Sequence, residues 1–173
     1  MNTRFEIAPA WVADLVAQVM DREFRTLASE EVQILTLFDL QRRMSQGRFI
    51  LGRLAKAKDE LKVVSKLAGG SAYDYVLYLD KAVFMRMEDA DRIHLIKHEL
   101  SHALGSETKN GDTRWGIVGH DFELFAWEAR EPSWRERCGR WGEMAAALYE
   151  TDAPMPAELP PTTGYPTEEE KVA

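Results

Sequence analysis

The sequence predicts an α+β fold with N-terminal helices and a small antiparallel-type sheet beside one functional helix, followed by a further helix. Apolar residues recur at helical spacing after Pro9. Successive side chains alternate between two faces over Tyr73–Leu79, as they do in a strand. The stretch Asp91–Gly105 has a helical pattern and carries three histidines at four-residue spacing, His94, His98 and His102. These three observations place helices and strands in one mixed domain.

Length and composition predict one soluble globular domain over residues 1–150. The chain has 173 residues, of which 45% are hydrophobic and 29% are charged, which is ordinary for such a domain. Beyond Thr151 the composition changes, since five of the seven prolines lie there and Glu168–Glu170 follow them. We expect residues 151–173 to form a flexible Pro/Glu-rich tail.

The compartment predicted by the sequence is cytoplasmic, in a cell or an infected host, or within a virion. The N-terminus lacks the apolar core of a signal peptide, and no window is long and apolar enough to span a membrane. Cys138 is the single cysteine, so no intramolecular disulfide is possible. We therefore expect no membrane partner, while the oligomeric state is left open.

The N-terminal half of the chain predicts two supporting helices and a strand. Pro9 opens the first helix, and a second helical pattern runs from Ser29 to the Ser45–Gly47 stop, with Val32, Leu35 and Phe38 as its apolar set. A strand is expected over Arg48–Lys56, with Gly52 as a possible bulge. A short helix over Asp59–Leu67 follows it.

The C-terminal half predicts the elements around the functional helix. A strand over Tyr73–Leu79 is followed by a short helical segment near Asp80–Phe84 and by the functional helix, from about Asp89 to Leu104. A polar connection with a turn at Asn110–Gly111 comes next. The chain then forms a helix that starts near His120 and is broken at Pro132, and a last helix over Trp134–Tyr149.

The functional helix carries the pattern H-E-x-x-H in His98, Glu99 and His102. Residues four apart lie on the same helix face, so both imidazoles can bind one metal ion. Glu99 lies beside the first ligand, where it reaches a metal-bound water rather than the metal. Two ligands and a general base on one helix turn are typical of zinc hydrolases.

A catalytic zinc site needs a third protein ligand, and the preferred candidate is His120, at the start of the next helix. Glu123, one turn later, is the alternative. His94 is disfavoured, because three successive turns span roughly 12 Å and one ion does not easily reach all three histidines. Thr108 stands where a metzincin has its third histidine, which excludes that class.

These features together resemble the putative phage metallopeptidase family, a group of SprT-like zincins. The resemblance rests on the Arg48–Lys56 strand, the Tyr-Asp-Tyr-Val-Leu-Tyr-Leu strand with Asp80–Phe84, Lys97–His102, and Gly119-His-Asp-Phe-Glu-Leu-Phe125. It covers about residues 48–130 and implies a zincin-like fold, Zn²⁺ ligands at His98, His102 and His120, and Glu99 as the catalytic acid and base.

The predicted function is a zinc-dependent metallopeptidase that hydrolyses protein or peptide substrates, with Glu99 as general base. The alternative is a zinc-stabilised virion or interaction protein with a zincin fold and little turnover. The net charge is −7, yet the segment 42–66 is strongly basic, so nucleic-acid binding is a further and disfavoured hypothesis. The strand over Tyr73–Leu79 is expected beside the functional helix, where an extended substrate could pair with it.

Overall fold

The computed structural model describes residues 3–45, 47–110, 113–119, 128–130 and 133–150, and within them it has an α+β fold. The helices are α1 Ala10–Glu23, α2 Arg25–Ser29, α3 Asp59–Leu67, α4 Lys81–Phe84, α5 Asp89–Leu100 and α6 Trp134–Glu150, with a 3-10 turn at Glu128–Arg130. The strands are β1 Phe5–Ile7, β2 Ile34–Asp39, β3 Met44–Ser45, β4 Arg48–Phe49, β5 Gly52–Lys56, β6 Tyr75–Asp80, β7 Ala103–Glu107 and β8 Thr113–Ile117.

The main sheet has four strands in the order β1-β2-β6-β5. It is mixed, because β2 and β6 run parallel while β1 and β5 are antiparallel to their neighbours. The expectation of an antiparallel-type sheet was therefore incomplete. β3–β4 and β7–β8 form two separate hairpins. Strand β6 is one of the two inner strands, which explains its apolar character: Tyr75, Leu77 and Leu79 have no measurable exposure.

The helix expected after Ser29 is wrong, because residues 34–39 form strand β2. Val32, Leu35 and Phe38 have helical spacing, yet the run Ile34-Leu-Thr-Leu-Phe also contains the β-branched and aromatic residues that favour strands. Pairing with β6 along six residues decided between the two. Short apolar runs of this kind are ambiguous in a single sequence.

The first helix is confirmed, and it covers the sheet. Val12 and Val19 of α1 are fully buried in one core with Phe38 of β2 and Leu77 of β6. Helix α1 also packs against α5, and an ion pair between Lys97 and Glu23 joins them at the surface, with the two atoms 3.1 Å apart. The functional helix is thereby fixed to the sheet through α1.

The other predicted elements match with changes in extent. Strand β6 runs over Tyr75–Asp80 instead of Tyr73–Leu79, and the predicted polar connection contains strands β7 and β8. The strand expected over Arg48–Lys56 is divided into β4 and β5, and Gly52 begins β5 rather than forming a bulge. Helix α5 ends at Leu100, and the chain continues into β7 where the helix was expected to reach Leu104. α3, α4 and α6 lie where they were expected.

Two segments named by the sequence patterns are outside the described part of the chain. They are the helix expected from His120 and the tail over residues 151–173. Among the residues that are described, no helix combines the length and apolarity needed to cross a bilayer.

Candidate metal centre

The histidines of the motif lie on two sides of the end of α5. His98 and Glu99 belong to the last turn of the helix, whereas His102 follows it in a turn whose backbone N–H donates to Glu99 O at 3.1 Å. The turn keeps both imidazoles together, with ring centroids 5.4 Å apart and planes at 81°. The structure thus brings the three predicted motif residues into one site even though the helix is shorter than expected.

His98 is oriented by a carboxylate from a distant part of the chain. Its Nδ1–H donates to Glu128 Oε1 at 2.7 Å, and Glu128 is only 4% exposed. Burial lowers the pKa of His98, but the Glu128 hydrogen bond and the charge of Glu99 outweigh it, so that this pKa is raised. The contact fixes the orientation of the ring and leaves Nε2 as the candidate ligand atom.

His102 is oriented in the same way by a backbone carbonyl. Its Nδ1–H donates to Val118 O at 2.7 Å, and Val118 N–H donates back to His102 O at 2.9 Å. This reciprocal pair closes the β7–β8 hairpin onto the site. Burial lowers the pKa of His102, and the Val118 carbonyl offsets only part of that shift. This environment favours the neutral imidazole, the form in which histidine binds a metal ion.

Glu99 is buried against the edge strand of the main sheet. Its Oε2 accepts a hydrogen bond from Leu54 N–H at 3.0 Å, and the side chain is 5% exposed. Gly52 makes this approach possible, because a Cβ atom there would lie 2.5 Å from Glu99 Oε1. Burial raises the pKa of Glu99 to about 7, against the opposing effects of His98 and Leu54 N–H. A carboxylate with such a pKa is suited to accept and return a proton near neutrality.

These groups open onto a cavity of about 830 Å³. His98, Glu99 and His102 line it together with Glu128 and the backbone of β5. Its volume is within the range of ligand-binding clefts, which combine a mainly apolar wall with a few convergent polar groups. The cavity is therefore large enough to admit a ligand of the size of a peptide segment.

The remaining candidate ligands have different positions. His120 and Glu123 lie outside the described residues. His94 is 6% exposed, with Nε2 3.4 Å from Glu128 Oε1, so it is a buried neighbour of the site rather than a surface histidine. Within the ranges that the structure describes, no three His, Cys, Asp or Glu side chains are arranged to hold a metal ion. A third ligand is thus still to be assigned.

Glu128 is the site residue that the sequence did not indicate. It lies 30 residues after His98 in a 3-10 turn, with no spacing pattern that links the two. The strand over Tyr73–Leu79 was also misassigned as a substrate edge, because β6 is paired on both sides. The edge strand next to Glu99 is β5.

The two imidazoles are nitrogen ligands of the kind that zinc accepts. Two histidines have Nδ1–H bound to a carboxylate and a carbonyl, which is the arrangement that prepares Nε2 for a metal ion. The adjacent carboxylate does not share their hydrogen-bond partners; it is bound to the strand edge instead. Glu99 is thus held apart from the hydrogen bonds that orient the two imidazoles.

Comparison with known proteins adds the family. The family model described as "Putative phage metallopeptidase" matches residues 3–149. This range includes every helix and strand described above, except for the final residue of α6, Glu150. No curated protein and no solved structure shows a significant match. The match includes the N-terminal helices as well as the motif, and it confirms the resemblance drawn from the motifs. The chain therefore belongs to the putative phage metallopeptidase family.

Proposed function

We propose that the chain is a zinc peptidase of the zincin type, with His98, His102 and His120 as metal ligands and Glu99 as general base. The single observation that carries this proposal is the convergence of two oriented imidazoles and a buried carboxylate on one cavity. Family membership supports a metallopeptidase, and the chemistry of the donor set favours zinc over metals that prefer oxygen ligands.

The roles of the residues follow from their contacts. Bound zinc would supply a Lewis acid that polarises the scissile carbonyl and lowers the pKa of water. Glu99 accepts the proton of the attacking water and delivers it to the leaving amine, for which its raised pKa is suitable. Glu128 and the Val118 carbonyl keep His98 and His102 in the required tautomer and orientation.

The backbone of β5 provides the edge on which an extended substrate would lie. Leu51 O accepts from Asp80 N–H and so faces β6, whereas Leu54 N–H faces the opposite side and reaches Glu99. Residues two apart in a strand point their backbone groups the same way, so those of Gly52 also face the cavity. Because Glu99 already accepts from Leu54 N–H, a peptide would pair with the outward backbone groups of Gly52, which would bring its carbonyl next to Glu99.

Several members of the basic segment 42–66 have partners within the protein. The guanidinium of Arg53 lies over the ring of Tyr78, 4.5 Å from its centroid, and Lys56 Nζ donates to Trp115 O at 2.9 Å. These contacts give two of the basic side chains a structural role that does not require nucleic acid. The proposed substrate is a protein or peptide, in the cytoplasm of a cell or infected host.

The direct test compares the wild-type protein with Glu99→Gln. We expect both to bind one equivalent of zinc and only the wild type to cleave casein, because glutamine cannot transfer the proton. Glu60→Gln, at an exposed position of α3, is the matched control and should retain full activity. An unchanged rate in Glu99→Gln would refute the mechanism. Bound zinc with no cleavage of any protein by the wild type would favour a zinc-stabilised virion or interaction protein instead.

A further inference from the structure

Helix α6 presents an apolar face to the cavity. Trp134, Cys138 and Trp141, which are three to four residues apart, line it with Gly142. Two charged residues of this helix, Arg137 and Arg140, both donate to Asp91 of α5. Among the α6 residues that line the cavity, none carries a charge. The helix is thus anchored through one face and offers the other to a ligand.

Most of the other lining residues are also apolar. They include Phe49 of β4, Ile50 and Leu51 between β4 and β5, and Leu95, which lies one turn before Glu99 on α5. Arg48 of β4 and Arg53 of β5 are the basic residues of the lining, and the guanidinium of Arg53 lies over the ring of Tyr78. Leu95 is 4% exposed, so it is a fixed part of the lining. The cavity therefore joins an apolar cleft, between α6 and the segment before β5, to the catalytic turn.

We propose that this cleft is a subsite for one large apolar side chain of the substrate, aromatic or leucine-like, next to the scissile bond. The inference rests on the proposed function for the position of that bond. A peptide paired with β5 has alternate side chains directed to one side of the strand, and the cleft begins beside that strand. Apolar walls reward burial of an apolar side chain and penalise a charged one.

Cys138 allows the subsite to be tested without turnover. It is the single cysteine of the chain, its side chain is exposed, and it lines the cleft. The probes are blocked glycine pentapeptides whose central residue is phenylalanine, leucine, glutamate or glycine. The full-length Glu99→Gln protein is loaded with zinc, and the rate of Cys138 alkylation by iodoacetamide is measured with each peptide.

The expected result is selective protection. At roughly ten times its Kd, the phenylalanine or leucine peptide should slow alkylation about tenfold by simple occupancy. The glutamate and glycine peptides should leave the rate unchanged at the same concentration. Equal rates with all four peptides would overturn the subsite.

A second variant tests the same cleft by filling it. In an otherwise wild-type chain, Cys138→Phe should lower kcat/KM for the phenylalanine peptide by about tenfold or more, the range that a misfit in an apolar pocket produces. It should change cleavage of a peptide with central alanine far less. Glu136→Phe, which adds the same ring at an exposed position of α6, is the control.

The outcomes separate the subsite from the proposed function. Selective protection of Cys138 without cleavage by the wild type would support the subsite and contradict the peptidase. Cleavage that is indifferent to the central residue, together with uniform alkylation rates, would leave the peptidase and refute the subsite. If Cys138→Phe fails to fold, as circular dichroism would reveal, the alkylation result decides alone.

Discussion

A Cβ atom on Gly52 would lie 2.5 Å from Glu99 Oε1 and 2.8 Å from both Cδ and Cγ of the same side chain. Real Cβ atoms do not approach other atoms so closely. The backbone of Gly52 has no positive φ, so the glycine is needed for space and not for conformation. A methyl group at this position would therefore displace the Glu99 carboxylate while leaving the strand intact.

We accordingly expect Gly52→Ala to fold, bind zinc and lose at least about a hundredfold in kcat/KM, the cost typical of a 1 Å misplacement of a catalytic group. Gly116→Ala is the matched control, because its new Cβ would have ordinary contacts. Steady-state cleavage and zinc content are measured for both. Full activity in Gly52→Ala would show that the position of Glu99 against β5 is unimportant.

Glu128 should control zinc affinity through His98. Glu128→Ala removes the acceptor of His98 Nδ1–H, and we expect zinc affinity to fall about ten- to hundredfold. Glu128→Gln keeps an acceptor oxygen without the charge and should have a smaller effect. Competition with a chelator measures the affinity, and imidazole ¹⁵N shifts report the tautomer of His98. Unaltered zinc affinity in both variants would show that Glu128 has no role in the site. Glu136→Gln is the control.

The buried Glu99 should reduce the stability of the metal-free protein above neutral pH. Its pKa is raised from 4.5 to about 7, so the folded state favours the protonated carboxyl. The contribution of this protonated carboxyl to the free energy of unfolding is complete below pH 4.5 and is lost as the pH rises to about 7. The loss lowers the free energy of unfolding by an amount on the order of 3 kcal/mol. Metal-free Glu99→Gln should match the wild type at pH 4 and unfold at higher temperature at pH 8.

Thermal unfolding of both chelated proteins across this pH range tests the sign. A wild-type protein that becomes more stable than Glu99→Gln between pH 4.5 and 7 would contradict it. The control is Glu60→Gln, whose difference from the wild type should not vary with pH in this way.

His120 and Glu123 are distinguished by their effect on zinc. We expect His120→Ala to lose at least about a hundredfold in affinity, since removal of residues that merely support a ligand already costs ten- to hundredfold. Glu123→Ala should bind zinc as the wild type does. Chelator competition and thermal unfolding with added zinc measure both. Loss of binding in Glu123→Ala alone would transfer the third-ligand role to the glutamate.

The residues that could be read from the sequence are those whose relationship is local. His98, Glu99 and His102 are close in the chain, and a helical turn is enough to join them, even though α5 ends before His102. The alternation of β6 was likewise visible, because its side chains follow from the strand period alone. The family resemblance seen over about residues 48–130 is extended by the family model to residues 3–149.

The features that could not be read depend on contacts between distant segments. β2 is a strand because it pairs with β6, and nothing within residues 34–39 could reveal that partner. Glu128 becomes important only because the fold places it beside His98. The approach of Glu99 to Leu54 similarly depends on the packing of α5 against the edge of the sheet. Because the sequence does not reveal this contact, Gly52 was predicted to be a bulge.

The reciprocal pair between His102 and Val118 has a consequence for the loop of the β7–β8 hairpin. Two hydrogen bonds, of 2.7 and 2.9 Å, join the residues on either side of the β7–β8 hairpin, so the hairpin starts and finishes at one fixed point. Chain length added between Glu107 and Thr113 would extend away from that point. A longer or shorter loop at this place would therefore leave the geometry of His102 unchanged.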